Sequence, residues 1–246
     1  MVFALAGDST ITSRVMLAAY VSAAVARSCN SPVILLRMSV RERPSLTYLV
    51  VAGLSWPILR GLYRLKAVGL ENLPPHGGYV LSANHTSNFD PWPLGIPLYP
   101  RRFLRFMAKS ELFWPPLGWI VKGAGGFKVR RGESDTQAIG TAEALARAGY
   151  VVVMFPEGTR RSKGLRKKHT ARAHTGAARI ALAAGVPLVP AAISGTDRLR
   201  FFARLRVAYG APLDIDDLRG HPPGDVAQEA TDRLMRAIYA LEDTLT

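Results

Sequence analysis

The run Tyr150-Val151-Val152-Val153-Met154-Phe155 carries no charge at any of its six positions. A strand with one face in water alternates apolar and polar residues, whereas a continuously apolar run needs cover on both faces. That requirement constrains the fold more than any other stretch, because a sheet covered on both sides is built from strands joined by packed helices. The flanking sequence supplies such helices. Ser134–Ala148 reads as a helix stopped by Gly149 and Ala171–Ala184 as one stopped by Gly185, glycine being suited to the left-handed turn that ends a helix. Tyr79–Asn84, Leu104–Ala108, Val186–Ile193 and Leu205–Tyr209 read as further strands. A last amphipathic helix carries Val226, Ala230, Leu234, Ile238 and Leu241 on one side. The alternation predicts an α/β fold, a mostly parallel central sheet with helices packed on it. In open sheets of this kind ligands bind beyond the carboxyl ends of the strands.

With 246 residues, 48% hydrophobic and 20% charged, the chain can build one sizeable core and is not disordered. Its single cysteine, Cys29, excludes an intrachain disulfide and a cysteine-rich metal site and fits a reducing compartment. The net charge of +14 implies an anionic partner without naming it: nucleic acid, an anionic membrane face, and phosphorylated or thioester-carrier substrates all have the right sign. Val15–Ala26 is apolar for twelve residues and Pro44–Leu59 uncharged for sixteen, both short of the roughly 20 residues that span a bilayer. No basic region precedes the first apolar run, which argues against a signal peptide. Met38 is a natural domain start. Residues 1–37 are therefore expected to be an extension or a misassigned start, 38–68 an N-terminal helical membrane-associating segment, and 69–246 the main domain. Leu46–Leu65 reads as one or two helices, with Gly53 and Pro57 as break points. Its apolar residues run almost all round, and Arg60, Arg64 and Lys66 gather at the end. Both a segment lying on an anionic membrane surface and a buried core helix have that pattern.

Two polar motifs stand directly after predicted strands. Asn84-His85-Thr86-Ser87-Asn88-Phe89-Asp90 follows the first, and Asp90-Pro91 looks like a helix start with Asp90 as N-cap and Pro91 at the first helical position. A carboxylate five residues after the histidine, across a short turn, can fix the imidazole tautomer and leave the other ring nitrogen free as a base. No protein nucleophile accompanies the pair, so a substrate hydroxyl would attack. A surface histidine beside an ordinary helix cap fits the same spacing, and a lone His and Asp do not make a metal site. The second motif is Phe155-Pro156-Glu157-Gly158-Thr159-Arg160. Gly158 allows close backbone approach, Glu157 can accept a hydroxyl's hydrogen bond, and Arg160 with nearby amides can hold a phosphate. The alternative is a plain turn with Glu157 and Arg160 paired on the surface.

Together, Asn84-His85 with Asp90 and the Phe155–Arg160 block seventy-two residues on from His85 to Glu157 resemble the glycerolipid acyltransferases, including the bacterial 1-acyl-sn-glycerol-3-phosphate acyltransferases. Gly125-Gly126-Phe127-Lys128-Val129-Arg130-Arg131-Gly132 resembles the family's second block, although Lys128 stands where the family often has an apolar or small residue. Val186-Pro187-Leu188-Val189-Pro190 resembles its fourth block, and Leu70–Pro74 is a further shared feature. The resemblance covers residues 45–210. It implies a glycerol-3-phosphate acyltransferase-like fold in which 69–246 is the acyltransferase domain, with His85 as general base and Asp90 as orienting acid. Arg131, for which Arg130 is a rival, and Arg160 would hold the acceptor phosphate, with Glu157, Gly158 and Thr159 shaping that site. Lys109 resembles a lysine near the phosphate pocket of bacterial members, and a solvated strand-end lysine is the other reading.

The implied reaction moves a fatty acyl group from acyl-CoA or acyl carrier protein to the free hydroxyl of lysophosphatidic acid, giving phosphatidic acid. No metal or prosthetic group is needed, since the thioester is a co-substrate. Seven positive charges fall in the thirteen residues Arg160–Arg172. The run has no interleaved aromatic side chain to stack single-stranded bases, and Gly164 interrupts it. It fits anionic lipid headgroups or coenzyme A phosphates better than nucleic acid. His169 and His174 nearby carry no implied role. The expected location is the cytoplasmic face of the cell membrane, peripheral or monotopic. Another acceptor (a glycolipid, an aminolipid or glycerol 3-phosphate) would use the same motif. A non-catalytic membrane- or nucleic-acid-binding protein is the reading from a different class.

Overall fold

In the computed structural model, which describes residues 46–129, 135–158, 173–197 and 202–245, the period-two alternation decides which side chain meets which layer. Tyr79, Leu81 and Ala83 of β2 (Tyr79–Ala83), Val151 and Val153 of β5 (Val151–Met154), and Val189, Ala191 and Ile193 of β6 (Leu188–Ser194) share one buried face. Val80, Val152 and Leu188 bury on the other. Both faces of the central strands are therefore covered, as the uncharged run of β5 requires.

The first of these faces meets Leu94 and Leu98, from α2 (Pro91–Gly95) and the 3₁₀ turn that continues it. The second meets α4 (Asp135–Arg147), α5 (Gly176–Ala184) and α6 (Pro223–Thr244), through Ala142, Ala146, Ala178, Ala181, Ala230 and Leu234 among others. Small alanines let α4 and α5 approach the sheet closely, while Leu234 and Ile238 fill the space under α6; each fully buried side chain of that size contributes about 1.5–3 kcal/mol.

The seven strands run in the order β1-β7-β6-β2-β5-β3-β4, with β1 at Lys66–Val68, β3 at Leu104–Lys109, β4 at Gly126–Val129 and β7 at Arg206–Tyr209. Every neighbouring pair is parallel except β6 and β7. The sheet is thus mixed and mostly parallel, the expected architecture. β1 and β4 were not readable as strands. Each is three or four residues long, and pairing to a neighbour is what holds it extended. Gly149 and Gly185 do end their helices with positive φ (93° and 68°), but α5 begins at Gly176, later than the pattern from Ala171 implies.

The Leu46–Leu65 segment forms α1 (Leu46–Pro57) and then a π-helical turn, Ile58–Leu62. The change of helix falls at Pro57, which has no N–H to donate within the ladder, whereas Gly53 passes through unbroken. Ala52 and Leu59 pack with Ile96 and Leu205. Among the described residues no helix is long and apolar enough to cross a membrane. The stretch 1–37 lies outside the described residues.

Candidate active site

The site begins where β2 stops. Asn84, buried, uses its side-chain amide in place of a backbone group. Nδ2 donates to the Ile193 carbonyl (2.9 Å) and Oδ1 accepts from the Ile193 N–H (2.8 Å), extending the β2–β6 pairing by one step. This locks the residue before His85 to the neighbouring strand. The chain then turns through Thr86–Phe89 and enters α2.

Asp90 is fully buried at the N-cap position of α2, as the sequence pattern places it, but its side chain does not cap the helix. The reason lies in Asp90-Pro91-Trp92-Pro93. Pro91 and Pro93 have no N–H, and the Trp92 N–H is bonded to the Phe89 carbonyl (2.9 Å), so the first turn offers the carboxylate no donor. Asp90 turns back instead. Its Oδ2 accepts from His85 Nδ1 (2.8 Å), the Thr86 N–H (2.7 Å) and the Ser87 N–H (2.8 Å). A carboxylate oxygen accepts only, so Nδ1 carries the ring proton and Nε2 the lone pair. Among the described residues Asp90 is the ring's hydrogen-bond partner, and no serine, threonine or cysteine hydroxyl or thiol is bonded to it.

The other oxygen, Oδ1, is held by a residue that sequence reading missed. Thr196, 2% exposed and just past the end of β6, donates its hydroxyl to Oδ1 at 2.5 Å. Thr86 Oγ1 lies 2.7 Å from Thr196 Oγ1 and 3.4 Å from Asp90 Oδ1, so with the Thr196 proton committed to the carboxylate the Thr86 proton is shared between these two acceptors. The available signal was that Gly195-Thr196 follows a strand end, as the two motifs do. Thr196→Val keeps the shape and removes the donor to a buried charge. We expect it to cost about 1.5–3 kcal/mol in denaturant unfolding, with Thr196→Ser recovering most of the loss. A stability unchanged in the valine variant would mean that this hydroxyl does not support Asp90.

Strand β5, paired to β2 on the side opposite β6, brings the second motif alongside. The Phe155 ring stacks on the His85 ring, with centroids 4.2 Å apart and planes 20° apart. One ring face is thereby covered and the side chain of His85 keeps 17% exposure. Phe155–Gly158 forms a tight turn closed by the Gly158 N–H to the Phe155 carbonyl (3.0 Å), with Gly158 at φ 66°. A Cβ on Gly158 would collide with the ring of His174, and the backbone N–H of His174 donates to the Pro156 carbonyl (2.7 Å). His174, unremarkable in the sequence, therefore braces this turn from the segment that leads into α5. Glu157 is half-buried in the turn. Lys109 is exposed at the carboxyl end of β3, the strand on the far side of β5. His85, Glu157, Gly158, Lys109 and Thr196 thus all sit at or just beyond the carboxyl ends of four adjacent parallel strands, where a ligand site is expected. Arg131, its rival Arg130, Thr159, Arg160 and the basic run to Arg172 lie outside the described residues.

A family model described as Acyltransferase matches residues 64–194, a span that holds both motifs. The chain is 32% identical over 187 residues to the 1-acyl-sn-glycerol-3-phosphate acyltransferase of Bacillus subtilis, covering 74% of this chain and 89% of that one. It belongs to the glycerolipid acyltransferase family. Streptococcus pneumoniae has a 1-acyl-sn-glycerol-3-phosphate acyltransferase 32% identical to this acyltransferase over 146 residues, 57% of this chain and 52% of that one. The crystal structure of the 1-acyl-sn-glycerophosphate (LPA) acyltransferase from Thermotoga maritima matches with a TM-score of 0.60 at 22% identity, over 90% of this chain and 88% of that chain. At that identity the likeness bears on the fold, which it shares. Among the described residues of this acyltransferase no group of three or more His, Cys, Asp and Glu side chains is placed to hold a metal ion.

Proposed function

We propose that this acyltransferase moves a fatty acyl group from acyl-CoA or acyl carrier protein to the free hydroxyl of lysophosphatidic acid, giving phosphatidic acid. The observation that carries the reading is the buried Asp90 holding His85 by Nδ1 and leaving Nε2 as the base. The hydroxyl oxygen attacks the thioester carbonyl carbon as Nε2 takes its proton. A C–O bond forms and the carbonyl π electrons move to oxygen. Collapse of that tetrahedral species breaks the C–S bond, and the departing thiolate recovers the proton from the imidazolium. Asp90 keeps the ring in the reactive tautomer and faces the positive charge that develops.

The acceptor assignment rests on the relatives named for that substrate and on the cationic sequence around the second motif. Arg131 and Arg160 would hold the phosphate, Lys109 would add charge at the next strand end, and Glu157, Gly158 and Thr159 would shape the turn that receives it. A thiol-release assay tests this, with acyl-CoA and acyl carrier protein as donors against lysophosphatidic acid, glycerol 3-phosphate, an aminolipid and a glycolipid. Release should depend on lysophosphatidic acid; equal rates with an unphosphorylated acceptor would overturn the assignment. Arg160→Ala should raise the KM for the phosphorylated acceptor about ten- to a hundredfold with little change in kcat, the loss of one charge-assisted contact made equally in ground and transition states. An unchanged KM would remove Arg160 from the site.

The membrane reading finds support in α1, which is inside-out for a soluble protein. Ala52 and Ser55 face inward, while Leu46, Val50 and Leu54 are 77%, 51% and 65% exposed. Over the described residues α1 runs for twelve residues, about 18 Å, which is less than a bilayer's width and suited to lying in its interface. The enzyme would act as a peripheral or monotopic protein on the cytoplasmic face.

A further inference from the structure

The sequence motifs leave one part of the fold unused. Between β3 and β4 the chain makes a 3₁₀ turn, Ser110–Phe113, and the helix α3, Leu117–Gly123, in which Gly118 is the buried residue. Trp119 is 70% exposed, Trp114 59% and Ile120 49%. Ten of the fourteen large apolar side chains exposed among the described residues belong either to this segment or to α1 with its π-helical turn, so exposure is concentrated rather than scattered.

The two helices touch. A Cβ on Gly123, the last residue of α3, would run into the Thr47 side chain in the first turn of α1. Trp119 and Ile120 stand one turn before Gly123, and Leu46 and Val50 lie beside and one turn beyond Thr47. The two helices that carry these exposed apolar side chains therefore meet at this contact. The charges beside them are mostly positive, with the exposed Glu111 of the 3₁₀ turn the exception on this segment. No Asp or Glu occurs from Leu46 to Leu70 or from Leu112 to Gly132, whereas Arg60, Arg64, Lys66 and Lys122 are all exposed there. The Arg60 guanidinium sits over the Trp56 ring, 5.2 Å from its centroid, an arrangement that keeps an apolar surface and a cation side by side.

We infer that α3 is a second membrane-docking element, and that α1 and α3 together make one platform lying in the interface of an anionic lipid bilayer. Trp114 and Trp119 are its aromatic anchors. The inference rests on the proposed action at a lipid surface and adds to it an element that chain order places apart from α1. Large apolar side chains supply burial in the acyl boundary, indole rings favour the zone where one end is apolar and the other wet, and the flanking cations meet anionic headgroups. The platform also gives the enzyme a fixed orientation, because α3 leads straight from the end of β3, at the carboxyl edge that carries His85, back into β4.

The test uses the full chain. Trp56, Trp92 and Trp114 are replaced by phenylalanine so that Trp119 alone reports, and its emission is read with vesicles of phosphatidylcholine and phosphatidylglycerol, of phosphatidylcholine alone, and with brominated acyl chains. A blue shift with the anionic vesicles, quenched by the brominated lipid, is expected. In parallel Trp114→Ser/Trp119→Ser should weaken sedimentation with anionic vesicles at least about tenfold. That double variant should keep the melting temperature and the thiol release measured on a detergent-dispersed acceptor. Wild type that sediments with vesicles while Trp119 stays silent, or sediments unchanged in the double variant, would overturn the role of α3 alone. Trp119 emission already blue and unquenchable without lipid would overturn it in favour of cover by residues 1–45 or by a second copy. Wild type that acylates dispersed acceptor but sediments with no vesicle would remove the lipid-surface reading and this inference with it.

Discussion

His85→Ala is expected to lower kcat about 10²–10⁴-fold, the span that a positioned general base contributes, with the folded state retained. The fold should tolerate the change because Asp90 Oδ2 keeps the Thr86 and Ser87 N–H donors when the imidazole is gone, and Oδ1 keeps Thr196. One hydrogen bond and one stacking contact with Phe155 are lost at a partly exposed position, a cost of about 1–2 kcal/mol. Thiol release and thermal melting on the same preparation check both halves. Near-normal turnover in a folded variant would end the role proposed for His85.

Changes at Asp90 should separate charge from support. Asp90→Ala strips the acceptor from the His85 ring, two backbone N–H groups and the Thr196 hydroxyl, all around a fully buried position. Each donor left unsatisfied costs about 1–3 kcal/mol, and the sum is comparable with the roughly 5–15 kcal/mol that holds a domain folded. Soluble yield should collapse. Asp90→Asn is milder. Its amide oxygen can still take the two N–H groups and the ring proton, and its NH₂ can face a reoriented Thr196 hydroxyl, yet the negative charge opposite the developing imidazolium is gone. The asparagine variant should fold and lose about 10²–10⁴-fold in kcat with KM little changed. A fall in KM-controlled binding with kcat intact would assign Asp90 to the acceptor instead.

The features read correctly in the sequence are those whose cause is local. The uncharged run of β5 demands cover on both faces wherever it sits, and glycine at 149 and 185 stops a helix by its own conformational freedom. Asp90 shows where local reading stops short. N-cap propensity placed it correctly, but the two prolines that follow take away the donors a cap would bind; this much is written in Asp90–Pro93 and becomes decisive only with the Phe89–Trp92 hydrogen bond in view. β1 and β4 escaped because each is short and carries a lysine, and so lacks the continuous apolar run that marks the equally short β5.

By itself the sequence determined the chemistry on offer: a histidine and an aspartate five residues apart after one strand, a glycine-bearing turn after another, and a surplus of positive charge. Those are properties of residue type and spacing, and spacing within a few residues survives any packing. What only the tertiary structure decided is which groups meet across long separations. Strand order sets Phe155 on the His85 ring, brings Thr196 to Asp90 over 106 residues, and sets Gly123 of α3 against Thr47 of α1. Such contacts depend on which strands and helices become neighbours, a choice made by burial of the whole sheet and carried by no single stretch of chain.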